Sequence, residues 1–423
     1  MTQPERQMTG LWGWIKERSK PLLAILVIIT LLLLIFITWQ AYKSDNLGFD
    51  GKTLWDWIEL LIIPVVLAIG VWRLNKSARE NEREIAAKKR EQDQSIADEG
   101  RNQATLEAYF DRMVELLVEY NLTGKEPEEK KNLSTMARTR TLAVLQSLDG
   151  KRKGQVVQFL HETASIGPGQ PVVELRGANL SEAVLRGIIL PQAILRGADL
   201  RDADLGGADL SEADLSEANL TKTHLSGATL SKTVLHNVCL SGATLWRADL
   251  TEANLLGAIL LQANLSMADL TKANLCKANL SRAEATGADL TWADLSAANL
   301  RRANLSRADL FGVDLSGADL SGADLTWADL TEANLSKANL NKANLDRTNL
   351  SKARLSGANL SHANLTWTDL NEADLSAANL GRTDLIGADL SKANLKGAKV
   401  TVEQLAQARL LTGAILPDGT THD

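Results

Sequence analysis

Residues 286–305 read Thr286-Gly287-Ala288-Asp289-Leu290-Thr291-Trp292-Ala293-Asp294-Leu295-Ser296-Ala297-Ala298-Asn299-Leu300-Arg301-Arg302-Ala303-Asn304-Leu305. The unit is A-(D/N)-L-(S/T)-x, and it does not stop there. Of the 45 positions spaced five apart from Leu175 to Leu395, 44 are leucine, Ala285 being the exception. Five is neither the helical period of 3.6 nor the strand period of 2. A helix would spread these leucines around its surface, and a flat strand would alternate them between faces. Within one unit, Ala and Leu are two residues apart and share a face in extended backbone. A bend after each unit returns the next Ala and Leu to the same interior. Four sides close a square coil of 20 residues, with Leu on the axis and Ala at the tighter inner position, and coils stack into a solenoid.

The fifth position of each unit should face outward and tests the coil length. At a 20-residue step it runs Glu212, Lys232, Glu252, Lys272, Trp292, Gly312, Glu332, Lys352, Glu372, Lys392. Charge sign alternates on either side of the Trp292-Gly312 pair. Coils about 4.8 Å apart would set opposite charges side by side.

These units resemble the pentapeptide-repeat family, over about residues 172–399. The resemblance implies an all-β solenoid, a right-handed quadrilateral β-helix of about 11 coils. At about 4.8 Å per coil it would be on the order of 50 Å long. Val184, Ile189 and Ile194 replace Asp/Asn in the first coil, and Glu284-Ala285 breaks one unit without changing register.

The outward columns differ. One corner is basic, with Arg282, Arg302, Gly322, Lys342, His362 and Arg382. Another runs Arg307, Trp327, Arg347, Trp367, a spacing suited to cation–π stacking between coils. A fourth is small, with Gly257, Ala297, Gly317, Gly357, Ala377 and Gly397. One side stacks Asp249, Asp269, Asp289, Asp309 and Asp329, and another carries Asn219, Asn279, Asn299, Asn339, Asn359 and Asn379. Asp and Asn suit hydrogen bonds to the turn backbone, and Asn can ladder. The Asp column, whose like charges repel, reads also as an acidic strip for a basic partner. Val234, Cys239, Leu256, Ile259 and Leu261 form an outward apolar outcrop, a candidate interface against ordinary drift within a repeat.

Upstream, Leu22–Trp39 is an uncharged run long enough for a transmembrane helix, and Leu54–Trp72 is a second apolar run with Asp56 and Glu59 near its entry. Trp12, Trp14, Trp39, Tyr42, Trp55, Trp57 and Trp72 bracket them as interfacial aromatics do. Lys16, Arg18 and Lys20 precede the first run. Arg73, Lys76, Arg79, Arg83 and Lys88-Lys89-Arg90 follow the second, and the loop between has only Lys43 and Lys52. The expected layout is a cytoplasmic tail (1–20), a transmembrane hairpin (21–72) and a charged helix or linker (73–105). A small helical segment (106–171), the repeats (172–399) and a C-terminal cap and tail (400–423) follow. Both ends are expected in the cytoplasm, and the protein in a bacterial inner or internal membrane. In the helical segment Leu106, Phe110, Met113, Leu117 and Tyr120 share one face. Further helices are expected at about 132–148 and 154–166, split by Asp149-Gly150-Lys151-Arg152-Lys153. The layout is similar to membrane-anchored pentapeptide-repeat proteins of cyanobacteria, and Ala137–Leu160 is the most recognisable part outside the repeats.

Chemistry is sparse. There is no phosphate-binding Gly-rich loop, Cys-x-x-Cys or His-Glu-x-x-His, and the five histidines are scattered. Cys239 and Cys276 lie far apart in coil order and read as free thiols. No catalytic residue, metal site or cofactor is expected. The expected function is a non-enzymatic, membrane-anchored scaffold that binds an unidentified protein partner. The resemblance also implies a competitor, since certain soluble family members present an acidic rod to topoisomerases. The basic columns and the hairpin fit such mimicry badly, and nucleic acid is not the expected partner. A transport or channel role is a third reading, and oligomeric state is open.

Overall fold

A computed structural model describes residues 31, 35, 36, 38, 39, 54–121, 126–166 and 171–423, with backbone alone for 54–65, 67 and 68. Residues 31, 35, 36, 38 and 39 are helical, and the helices that follow are α1 (Leu54–Asn121), α2 (Pro127–Ser147), α3 (Gly150–Glu162) and α4 (Val402–Leu405). The chain divides into two units, Met1–Ile96 and Ala97–Asp423.

No helix among the described residues is long and apolar enough to cross a membrane. The run Leu22–Trp39 lies largely outside the described residues. The run Leu54–Trp72 enters α1, but its side chains before Val66 also lie outside them. From Arg73 to Gly100 α1 is exposed throughout, a solvated charged helix as its composition requires.

In the second unit the five-residue period folds as its spacing dictates. Each Asp/Asn position pairs in parallel with the position 20 residues on, from Asn179↔Asp199 to Asn379↔Lys399. The Ala and Leu positions are buried along the whole stack. Every backbone N–H of a regular unit is satisfied. In the unit after Leu210, the Ala213 N–H donates to the Leu210 carbonyl across the turn (3.0 Å), and Asp214 donates back to Ala193 (2.9 Å). Leu215 donates forward to Val234 (2.9 Å), and Glu212 donates forward to Ser231 (2.9 Å). The remaining N–H, at Ser211, donates to the Asp209 Oδ1 (3.0 Å). This accounts for Asp or Asn: either supplies the acceptor that the turn otherwise lacks. Asp289→Asn should therefore leave stability within about 0.5 kcal/mol. Asp289→Ala orphans the Thr291 N–H, bonded at 2.9 Å, and should cost about 1 kcal/mol. Thermal denaturation of the two variants checks this.

The fifth position carries a constraint that the outward-facing expectation did not contain. It is left-handed in every unit, with φ from 55° to 72° between Gly177 and Gly397. The turn residue before it has no positive φ, which is the type II pattern. Where Thr replaces the inner Ala, its hydroxyl donates to a leucine carbonyl of the previous coil, as in Thr223 to Leu200 (2.7 Å) and Thr368 to Leu345 (2.7 Å). A buried polar group is thereby paired inside the apolar core.

Helices and the C-terminal tail cover part of each end of the stack. Leu106, Met113 and Leu117 of α1 are buried, with Phe110 and Tyr120 partly so. Phe110 and Phe159 stack at 4.7 Å. Helix α2 begins at Pro127, earlier than expected, because proline fits the first helical turn. The Asp149–Lys153 stretch does not separate two helices, as expected from its charge. It opens α3, with Asp149 as N-cap accepting from the Arg152 N–H (3.0 Å). Burial opposes ionisation of this carboxyl, but the Arg152 backbone and guanidinium bonds outweigh it and hold Asp149 below the usual carboxylate range.

Helix α3 lies directly on the first coil. A Cβ at Gly150 would sit 1.9 Å from the Glu182 carbonyl oxygen, and one at Gly154 would sit 2.1 Å from that of Val184. The Val184 N–H donates to the Gly150 carbonyl (2.9 Å). Lys153, 5% exposed, donates from Nζ to Asn179 Oδ1 (3.1 Å), Ser181 O (2.9 Å) and Ser181 Oγ (3.1 Å). At the other end α4 interrupts the repeat, as the expected cap does. Gln404 Nε2 donates to the Leu380 and Thr383 carbonyls (2.7 and 2.9 Å). The tail then resumes the stack: Leu410 pairs with Asp389 and Ile415 with Asn394. Each end is thereby covered over part of its edge, where an open coil would otherwise invite pairing with another chain.

Candidate functional site

With the interior committed to Leu and Ala, recognition chemistry is confined to the outward positions. The Glu/Lys corner forms part of its expected ladder, with Lys352–Glu332 at 3.9 Å and Lys392–Glu372 at 3.1 Å. Glu212 instead accepts from Gln192 (2.8 Å). These pairs are exposed and contribute little to stability. In the Arg/Trp corner, Arg347 lies over Trp327 at 4.9 Å. Trp367 instead lies over Gly387, and Arg307 is exposed.

A rule in these columns escaped the sequence reading. Large side chains at the fifth position lean onto the coil that follows, and glycine makes the room. A Cβ at Gly312 would sit 2.5 Å from the Trp292 ring, one at Gly387 2.8 Å from Trp367, and one at Gly287 2.8 Å from the Met267 sulfur. Trp292 and Gly312 lie 20 residues apart in one column, so the signal in the sequence is a large–small pair at the coil spacing.

Asp249, Asp269, Asp289, Asp309 and Asp329 stack in register, each pairing with the next. Their Oδ1 atoms accept the N–H two residues on, at 2.9 to 3.0 Å. On the opposite side the amides ladder, Asn379 donating to Asn359 (3.2 Å), Asn359 to Asn339 (3.0 Å) and Asn339 to Asp319 (3.0 Å). Arg282, Arg302, Lys342 and Arg382 are exposed on the basic corner. The apolar outcrop is real, with Leu256 40%, Ile259 42% and Leu261 37% exposed. Leu261 shares a shallow depression with Ser281, Arg282, Asn299, Arg301 and Arg302, so the outcrop meets the basic corner. Cys239 and Cys276 are free thiols. No cluster of three or more His, Cys, Asp or Glu residues is placed to hold a metal among the described residues.

Residues 174–211, 208–247, 247–282, 288–326, 328–366 and 368–401 match the sequence profile of the pentapeptide repeats, in eight copies. Solved structures that resemble the chain include HetL, a pentapeptide repeat protein involved in heterocyst differentiation regulation from the cyanobacterium Nostoc sp. strain PCC 7120. It is 39% identical over 56% of this chain and 92% of that chain, with a TM-score of 0.45. Rfr23, a pentapeptide repeat protein from the cyanobacterium Cyanothece 51142, is 41% identical over 22% of this chain and 60% of that chain, with a TM-score of 0.21. QnrB1, a plasmid-mediated fluoroquinolone resistance protein, is 21% identical over 41% of this chain and 89% of that chain, with a TM-score of 0.31. No curated protein matches.

Proposed function

Since the chain belongs to the pentapeptide-repeat family, whose members form a right-handed quadrilateral β-helix and serve generally as non-enzymatic interaction modules, we propose that it is a membrane-anchored scaffold presenting this solenoid to a protein partner. The observation that carries the reading is the contrast between inside and outside. Inner positions repeat Ala and Leu almost without change, while the outward columns differ from side to side in charge and in aromatic content. A stack selected for stability alone has no need of half-exposed tryptophans, which are the residues that dominate binding energy at interfaces. In this reading the apolar runs Leu22–Trp39 and Leu54–Trp72 are the anchor. The basic residues on their outer flanks keep the N-terminus and the repeats in the cytoplasm. The connector sets the reach.

Partner capture should depend on the Arg/Trp corner. Replacing Trp327, Trp367, Arg307 and Arg347 together by Ala removes exposed groups and leaves the buried rows intact. The variant should keep its unfolding temperature within about 2 °C and lose at least about tenfold in affinity for its partner. Undiminished pull-down by the folded variant would exclude that corner.

A further inference from the structure

All five aromatic side chains of the coils flank one side of the solenoid. Trp246, Trp327 and Trp367 occupy the turns that lead into the side carrying Asp249 to Asp329, and Trp292 and Phe311 occupy the turns that leave it. Trp292, Trp327 and Trp367 are 54%, 55% and 52% exposed. Their rings are nevertheless fixed. Trp292 covers Gly312 and meets Phe311 edge-on at 5.3 Å, Trp367 covers Gly387, and Trp327 lies under Arg347. Rings already held against backbone lose little freedom on binding.

Between these edges no cation contacts the Asp row among the described residues. Each of the five Asp side chains uses Oδ1 for its own turn, and Oδ2 has no hydrogen-bond partner among the described residues. None of the five forms an ion pair with Lys or Arg, whereas on the opposite side Asp199 pairs with Arg201 and Asp319 with Arg301. Arg247, Arg307 and Arg347 on one edge offset part of this charge without contacting the carboxylates. From Met267 to Glu332 the side and its two edge columns carry five acidic groups (Asp269, Asp289, Asp309, Asp329, Glu332) against Lys272 and Arg307.

We propose that this side docks an extended Arg- and Lys-rich segment of a partner protein, its cations seated on the Asp row and against the Trp faces. The inference rests on the scaffold reading and names the face and the partner's chemistry. Both halves of the surface select cations: free carboxylate oxygens by charge, and the exposed indoles of Trp292 and Trp367 by cation–π attraction, as Trp327 and Trp246 already hold Arg347 and Arg247 at 4.9 and 4.5 Å. The same carboxylates repel phosphates, so nucleic acid and anionic lipid do not fit here.

The test is fluorescence anisotropy of a labelled peptide of alternating Arg and Ser against the full chain at low and physiological salt. Asp269→Asn/Asp289→Asn/Asp309→Asn removes three charges while an amide oxygen keeps each turn bond. Asp294→Asn/Asp314→Asn/Asp374→Asn removes the same charge from the neighbouring side. The first triple variant and Trp292→Ala/Trp327→Ala should each weaken binding at least about tenfold, and the control triple less than about threefold. Equal loss in both triples, no loss in either, or no binding by the unaltered chain overturns the proposal. Self-association of the unaltered chain in sedimentation velocity, abolished by the first triple, would assign the face to a second copy and also overturn it. A partner captured through coils 256–355 but indifferent to the first triple would overturn this face and leave the scaffold reading standing.

Discussion

Gly154→Leu should unseat α3 from the first coil and lower the unfolding temperature by several degrees. A Cβ at this position meets the Val184 carbonyl oxygen at 2.1 Å. That obstacle is backbone, so no rotamer change relieves it. The helix must move outward, and three things go with it. The Gly150 carbonyl loses the Val184 N–H. The buried Lys153 ammonium loses its three acceptors around Asn179 and Ser181. The apolar contact of Val156, Val157 and Leu160, all fully buried, opens to water. Overpacking alone costs about 1–3 kcal/mol, and loss of the hydrogen bonds to the Lys153 ammonium adds about 1.5–3 kcal/mol more. Hydrogen exchange should accelerate in the first coils and stay slow in the middle of the stack, where each coil leans only on its neighbours. Gly100→Ala is the contrasting change. Nothing lies within 4 Å of its Cβ, and replacing a helical glycine should stabilise α1 by about 0.5–1 kcal/mol.

Gly312→Val is the second large effect expected, for a different reason. Gly312 has φ 64° and the Trp292 ring 2.5 Å from its would-be Cβ. A β-branched residue in the left-handed region is strained by about 1–3 kcal/mol, and the ring must also leave its seat. Gly322→Val isolates the first contribution, since at φ 66° its nearest neighbour is the Arg302 Cγ at 3.6 Å. Both variants should lose stability. Gly312→Val should lose more, and it alone should raise the accessibility of a tryptophan to acrylamide quenching. Equal losses and unchanged quenching would mean that Trp292 is not held by Gly312.

How much of this was legible depended on whether a residue type had one physical use or several. Leu and Ala at a spacing of five admit one interior, so the four-sided coil and its 20-residue step followed from sequence. The Asp and Asn positions were read correctly as turn acceptors and ladders, because no other group in the unit can take the Ser or Thr N–H. The left-handed fifth position was missed, although its signal was present: glycine recurs there and no Val, Ile or Thr occurs from Gly177 to Gly397. Asp149-Gly150-Lys151-Arg152-Lys153 was misread because its charge suggests a solvated turn. What decided it was a tertiary contact, a helix laid on coil backbone, and one sequence shows only its shadow in two glycines four apart. The aromatic side escaped because the columns were compared one at a time. Trp292 and Trp327 belong to different columns and meet only when the side between them is drawn.

The central claim is that the coils recognise a partner through their outer surface. Crosslinking in native membranes followed by mass spectrometry tests it most directly, comparing the full chain with a variant lacking residues 256–355. That deletion removes five whole coils, keeps the column register and leaves both caps in place. It takes out Trp292, Phe311, Trp327 and Asp269 through Asp329 together. The account predicts that a partner crosslinked to the full chain is lost from the shortened one while both remain folded and in the membrane fraction. If the same partners persist with the shortened chain, recognition lies outside these coils and the account is contradicted.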